Sequence, residues 1–389
     1  MNEKSGKIKL RNALLYAAAV IGIIIIMLFT SDINFIDWIK SGKAAQEQDV
    51  GSLDNVAVNH ETTAGNEAGS GTDAIVKTPA PIPKKTGRRA LSNPNATKEA
   101  VSLYNYLCDV YGNGILAGQQ ESTWINNNPD DEIEYIEANT GKLPAIRGLD
   151  YINEDFDGVT NRSIEWWEKG GIPSICFHWG APTLGVGYEA SKLRIDAAEA
   201  LKPDTALNKA MIADMDRVAE ELKKLQEANV PILWRPFHEL NGNWFWWSKN
   251  GPEVFKELWI FMYDRYTNYH GLNNLIWVFG YTSNADQDWY PGDEYVDIAG
   301  CDAYAQGIQS QMYWQLTDFI ESDMPLVYHE CGPIPNPDGM IKEDIRWTWF
   351  LTWHTIHIKE QNTPTYINEV YNHSYVITLD ELPDLKNYE

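Results

Sequence analysis

From Leu91 onward, short apolar runs alternate with longer segments whose apolar residues recur at steps of three and four. The runs GILAGQQ, LPAIRGLDY, IPSICFHWG, VPILWRPFHE, NLIWVFGY, YVDIAGCDAY, MPLVYHECG and WTWFLTWH have strand length. Near-continuous apolar character is the mark of strands buried on both faces, as in parallel sheets. Helical periodicity marks ATKEAVSLYNYLCDVY, SIEWWEKGG, TALNKAMIADMDRVAEELKKLQEA, EVFKELWIFMYDRYTNYH and MYWQLTDFIESD. In the third of these, Leu207, Met211, Met215, Val218, Leu222 and Leu225 fall on one face. Eight strands alternating with helices or loops over roughly 300 residues predict an α/β chain folded as a (β/α)8 TIM barrel, spanning 91–389. A doubly wound open sheet is the alternative, but the Gly-rich phosphate turn that it often carries is absent.

The strand-like runs share a polar end. Gln119 and Gln120, Asp150, His178, His238 and Glu239, Asp302 and Tyr304, His329 and Glu330, and His354 each lie where a run finishes. In a parallel barrel those ends converge on one face, and that face carries the chemistry. One polar residue at a loop start needs no explanation; a whole set in register points to a site.

Upstream, the pattern changes. Lys4, Lys7, Lys9 and Arg11 precede the apolar run NALLYAAAVIGIIIIMLFT, roughly 18 residues and near the length that crosses a bilayer. The flanking charges predict a cytoplasmic N-terminus and an exported remainder. The expectation is a single N-terminal transmembrane signal-anchor within 1–40, with a cleaved signal peptide as the competitor. Residues 41–90, rich in Ala, Gly, Thr, Glu and Pro without a sustained period, predict a flexible, disordered linker. The chain is thus expected at the extracellular face of the membrane, or secreted if the leader is removed.

Composition narrows the partners. A formal charge of -24 opposes nucleic-acid binding, which needs clustered Lys and Arg. Sixteen Trp and twenty Tyr exceed what a core of this size needs and suit a sugar-binding groove. Trp179, Trp244, Trp246, Trp247 and Trp353 are the candidate platforms, core packing being the alternative for each. Cys108, Cys176, Cys301 and Cys331 show no metal-ligand spacing; three of them fall on or beside the strand-like runs, where a free cysteine serves as a small apolar residue, with a disulfide between Cys301 and Cys331 as the alternative. The dispersed histidines His178, His238, His329 and His354 lack H-x-H or H-E-x-x-H spacing, so no metal and no cofactor is expected. No G-x-S-x-G elbow is present either.

Two carboxylates remain, Glu239 closing the fourth run and Glu330 the seventh. Opposed carboxyls are what glycoside hydrolysis requires: one protonates the leaving oxygen, the other attacks the anomeric carbon or activates water. Arg235, His238 and Asn243 are placed to hold Glu239, while a partly dry setting from Trp244 would keep it protonated. Tyr304 is placed to donate to Glu330.

The stretches LAGQQE, RPFHELNGNWFWW, YPGDEYVDIAGCDAY, HECG and WTWFLTWH resemble glycoside hydrolase family 26, whose best-known members are endo-β-1,4-mannanases. The resemblance covers the whole barrel. It implies a retaining clan A TIM barrel with Glu239 as acid/base and Glu330 as nucleophile. It further implies substrate-binding roles for His178, His238, Trp244, Tyr304, Trp353, Asp150 and Arg235, with Trp353 as floor under the cleaved sugar. The substrate implied is β-mannan or a related plant polysaccharide, acted on by a monomeric catalytic domain. Some relatives have Arg after the strand-eight Trp, where this chain has His354, which leaves endo against exo action open. A β-1,3-xylanase or mixed-linkage β-glucanase of the same family, a metal-dependent hydrolase and a non-catalytic glycan-binding barrel are the other readings.

Overall fold

The computed structural model describes residues 88–389 apart from 321–322. The expected anchor and most of the linker therefore lie outside the described residues. Among those described, no helix is long and apolar enough to cross a membrane.

Eight strands close into a parallel barrel: β1 Ile115–Gln120, β2 Ile146–Asp150, β3 Ile172–Cys176, β4 Ile232–Arg235, β5 Leu275–Thr282, β6 Ile298–Ala303, β7 Leu326–Cys331 and β8 Trp349–Thr352. Each pairs in parallel with the next, and β1 pairs with both β2 and β8, which completes the ring. A two-residue strand, β9 Val376–Ile377, adds to the start of β1 before β2 joins it at Gly118. Every strand residue except Ala303 and Ile377 is buried, which explains the continuous apolar runs.

The major helices are α1 Lys98–Val110, α2 Asp131–Thr140, α3 Phe156–Glu168, α4 Ala206–Glu227, α5 Pro252–Tyr263, α6 Ser310–Phe319, α7 Pro337–Glu343 and α8 Pro364–Tyr371. In α4, Thr205 caps the first turn by accepting from the Asn208 amide, and Met211, Met215, Val218, Leu222 and Leu225 pack inward. A turn of π-helix, Asp264–Tyr269, continues α5.

The structure decides between several open readings and corrects one strand boundary. Trp246 and Trp247 are fully buried and Trp179 nearly so, stacked on Phe177; all three are core rather than platforms. The four cysteines are free thiols; Cys331 Sγ lies 3.9 Å from the Thr352 hydroxyl. Strand β4 stops at Arg235, four residues before Glu239.

Candidate active site

The turn that carries Glu239 is conformationally costly. Phe237 and Glu239 take φ of 51° and 52°, left-handed values that bulky residues rarely adopt, at about 1–3 kcal/mol each. Its neighbours hold it there. The Leu240 amide donates to the Gly280 carbonyl on β5, the Thr282 amide to the Asn241 side chain, and the Trp247 indole to the His238 carbonyl. Strain fixed in this way sets the direction of a side chain rather than the stability of the fold.

Glu239 receives one strong hydrogen bond, from the Trp244 indole N–H to Oε2 at 2.6 Å. Gly242 makes this fold-back feasible, because a Cβ there would lie 2.4 Å from the Trp244 ring. Arg235 and His238 do not hold Glu239, contrary to expectation, and Asn243 is exposed. Arg235 turns to the far wall instead. Its guanidinium donates to Asp302 Oδ2 at 3.0 Å and pairs with Glu330 Oε1. Tyr304 donates to Glu330 Oε2 at 2.7 Å, as its position predicted. One oxygen each from Glu239, Asp302 and Glu330 lie within 4.8 Å of one another.

These contacts separate the two glutamates electrostatically. Burial, then the charges of Glu330 and Asp302, hold the Glu239 carboxyl well above the usual carboxylate range, and the single Trp244 donor opposes this only weakly. Glu330 is pushed up to about 7 by burial, against the pull of Arg235 and Tyr304. The first proton taken up therefore resides on Glu239, leaving Glu330 charged. Tyr304 stays a donor, since burial and Glu330 keep its phenol protonated.

Asp302 sits behind this arrangement, gripping Arg235 on one side and the buried His329 ring on the other. Sequence reasoning placed Asp302 and His329 at strand ends without assigning them this work. On the opposite wall, Asp150 accepts from the His178 amide at 3.0 Å and from its Nδ1 at 2.5 Å. With that tautomer, His178 Nε2 accepts from His238 Nε2 at 3.0 Å. Burial and His178 push His238 well below the ordinary imidazole range, so it stays neutral. Both His178 nitrogens are thus used inside the protein; His178 shapes the wall beside Trp353, 5.9 Å away between centroids. The Gln119 amide donates to the Trp353 carbonyl and fixes that loop.

A nucleophile-poised carboxylate facing a protonated one at this separation is the arrangement of a retaining glycosidase. The sequence model of glycosyl hydrolase family 26 matches residues 92–381. The chain belongs to glycosyl hydrolase family 26. Among similar proteins, a mannan endo-1,4-beta-mannosidase of Thermothelomyces thermophilus is 38% identical over 333 residues, covering 80% of this chain and 67% of the relative. Mannan endo-1,4-beta-mannosidase A of Piromyces sp is 35% identical over 310 residues, 75% of this chain and 50% of the relative. The chain thus spans half to two thirds of the length of these relatives. The crystal structure of a Podospora anserina GH26-CBM35 beta-(1,4)-mannanase superposes with a TM-score of 0.71 at 37% identity, covering 79% of this chain and 72% of that one. The family 26 barrel therefore places Glu239, Glu330, Arg235, Tyr304 and Trp244 around one point, with Asp150, His178, His238 and Trp353 on the adjoining wall.

Proposed function

We propose that the protein is a retaining endo-β-1,4-mannanase acting on mannan, galactomannan or glucomannan. The carrying observation is the opposed pair Glu239 and Glu330, set close together, with the Trp244 indole on the first and Arg235 and Tyr304 on the second. One oxygen of each lies within 4.8 Å of the other's, in keeping with the about 5–5.5 Å carboxyl spacing of double displacement rather than the about 6.5–9.5 Å that admits a water for inversion. Glu239 gives its proton to the leaving glycosidic oxygen as that bond to the anomeric carbon breaks. Glu330 forms the new bond to the same carbon, producing a glycosyl ester. Glu239, now a carboxylate, takes a proton from water; the water oxygen bonds to the anomeric carbon and the ester to Glu330 breaks. Arg235 and Tyr304 hold Glu330 for the attack and receive its charge on release.

Reducing-sugar release from β-1,4-mannan, lichenan and β-1,3-xylan tests the substrate. Fast release of short oligosaccharides from mannan alone supports the proposal. Preference for either of the other glycans would move the substrate within the family, and release from none would favour a glycan-binding barrel.

We further infer that residues 1–40 anchor the chain in the membrane and that 41–90 tether a monomeric barrel at the outer face. The apolar run 12–30, led by Lys4, Lys7, Lys9 and Arg11, supports this. Recovery of full-length chain in the carbonate-washed membrane fraction is the expected outcome; recovery in the culture medium, shortened after the apolar run, would replace it with secretion.

A further inference from the structure

The loops that follow β1 and β8 meet beside the Trp353 floor. The first carries Trp124 on a single helical turn, Thr123–Asn126. Its partly exposed ring lies 6.3 Å from Trp353, centroid to centroid, with the planes tilted by 40°. His354 stands edge-on to Trp124 at 5.3 Å. Burial and the neighbouring His357 push His354 down to about 3, so this ring is neutral. Trp124 therefore extends the aromatic wall past Trp353, with the buried, uncharged His354 ring packed behind it. Successive rings of a β-1,4-linked chain do not lie in one plane, and a tilted pair of platforms follows such a chain better than a coplanar one.

A buried clamp holds these loops together. Glu132, in the first turn of α2, is completely buried. Its Oε1 accepts from the Ser122 hydroxyl and from the Thr355 amide, the latter at 2.9 Å. Ser122 lies two residues before Trp124, and Thr355 directly follows His354. One carboxylate oxygen thus ties both aromatic loops close to their rings. Thr355 sits at φ 38° and ψ -101°, a strained conformation for a β-branched residue, and the bond from its amide to Glu132 helps to hold it there. The other oxygen, Oε2, is buried without a partner among the described residues. A dry, half-satisfied carboxylate is costly, and the reaction on Glu239 and Glu330 makes no use of it.

We propose that Trp124 is a second sugar platform, stacking the pyranose next to the one over Trp353, and that Glu132 is the positioning residue that keeps the two aromatic loops in register. The proposal rests on the glycosidase reading of the site, and it concerns specificity for chain length rather than the bond-breaking step.

The test compares kcat/KM on 2,4-dinitrophenyl β-mannoside and on the corresponding β-mannobioside, using the full-length chain. The ratio of the two isolates the second sugar. Trp124→Ala should lower the bioside-to-monoside ratio about tenfold, the size of a lost aromatic stack. Glu132→Ala should lower it comparably, and Glu132→Gln, which keeps an acceptor oxygen for both donors, should restore it to within about threefold of the parent. Ile125→Ala, an exposed neighbour, should keep the parent ratio. An unchanged ratio in Trp124→Ala, or an equal loss on both substrates, overturns the platform. A lowered ratio in Trp124→Ala with an unchanged ratio in Glu132→Ala overturns the positioning role. Should the parent cleave neither mannoside, the same ratio on the β-glucoside and β-cellobioside decides the platform separately from the mannanase assignment.

Discussion

Replacing Tyr304 by Phe removes one hydroxyl and leaves the ring packed on His357, 4.8 Å between centroids. The lost contact is a 2.7 Å hydrogen bond to a charged carboxylate. Such bonds contribute about 1.5–3 kcal/mol, and about 1.36 kcal/mol corresponds to one pH unit. Arg235 remains on the other Glu330 oxygen and compensates in part, so the lower end of that range applies. Glu330 already stands at about 7 in the intact site. Losing a donor to its charged form raises it further, by about one pH unit. Because Glu330 must be charged to attack, the acid limb of the kcat/KM profile should move up by about one unit and the optimum should narrow. At about pH 6 the variant should be about tenfold slower than the parent, with the gap shrinking toward the alkaline side. The assay is initial-rate kcat/KM on a soluble manno-oligosaccharide across the pH range. An acid limb that stays in place or moves down, or a change confined to the alkaline limb, would refute the assignment of Glu330 as the group that must ionise.

Three other outcomes follow from the same geometry. Glu239→Gln should abolish turnover while raising thermal stability above neutral pH. The raised carboxyl favours the folded state below the ordinary carboxylate range and withdraws that contribution as pH rises through its folded value, so the gain in Tm should vanish in acid; a constant gain or a loss at alkaline pH would contradict this. Gly280→Ala places a Cβ 2.5 Å from His329 Cε1, so the His329–Asp302–Arg235 chain must shift; kcat should fall at least about tenfold with about 1–3 kcal/mol of destabilisation by urea unfolding. Elsewhere on the rim, Glu121 is buried between Arg147 at 2.8 Å and Arg162 at 2.7 Å, and Glu121→Ala should cost about 3 kcal/mol in the same measurement, because two guanidinium groups lose their buried counter-charge and keep only the solvent-exposed Asp130 and Asp155.

Much of this architecture was legible in the chain. The eight apolar runs are the eight barrel strands, because strands covered on both faces leave no polar alternation to confuse with helix. Glu330 lies at the end of β7, and Tyr304 and Trp353 directly follow β6 and β8, as the ends of the runs indicated, whereas Glu239 lies on the turn beyond β4. What escaped detection has physical reasons. Position on β4 shows that Arg235 faces inward, but not which carboxylate across the barrel it meets, and it pairs with Glu330 and Asp302 rather than Glu239. The left-handed Phe237 and Glu239 carry no glycine to announce a turn, so β4 looked four residues too long. Trp246 and Trp247 follow Glu239 closely, yet they pack inward, since an indole serves a core as readily as a sugar face. Helix α2, DEIEYIEANT, has too few apolar positions for a clear period, and the four-residue turn bearing Trp124 has no period at all; the clamp between them is therefore visible only in three dimensions.

The central claim is that Glu330 forms a covalent bond to the anomeric carbon while Glu239 supplies the proton. Incubation with a 2-deoxy-2-fluoro-mannosyl donor bearing a good leaving group, followed by intact-mass and peptide analysis, tests it most directly. One fluoroglycosyl unit per chain, on the peptide containing Glu330, is the predicted result. A label on Glu239 or elsewhere, or rapid turnover to an inverted product with no adduct, would contradict it.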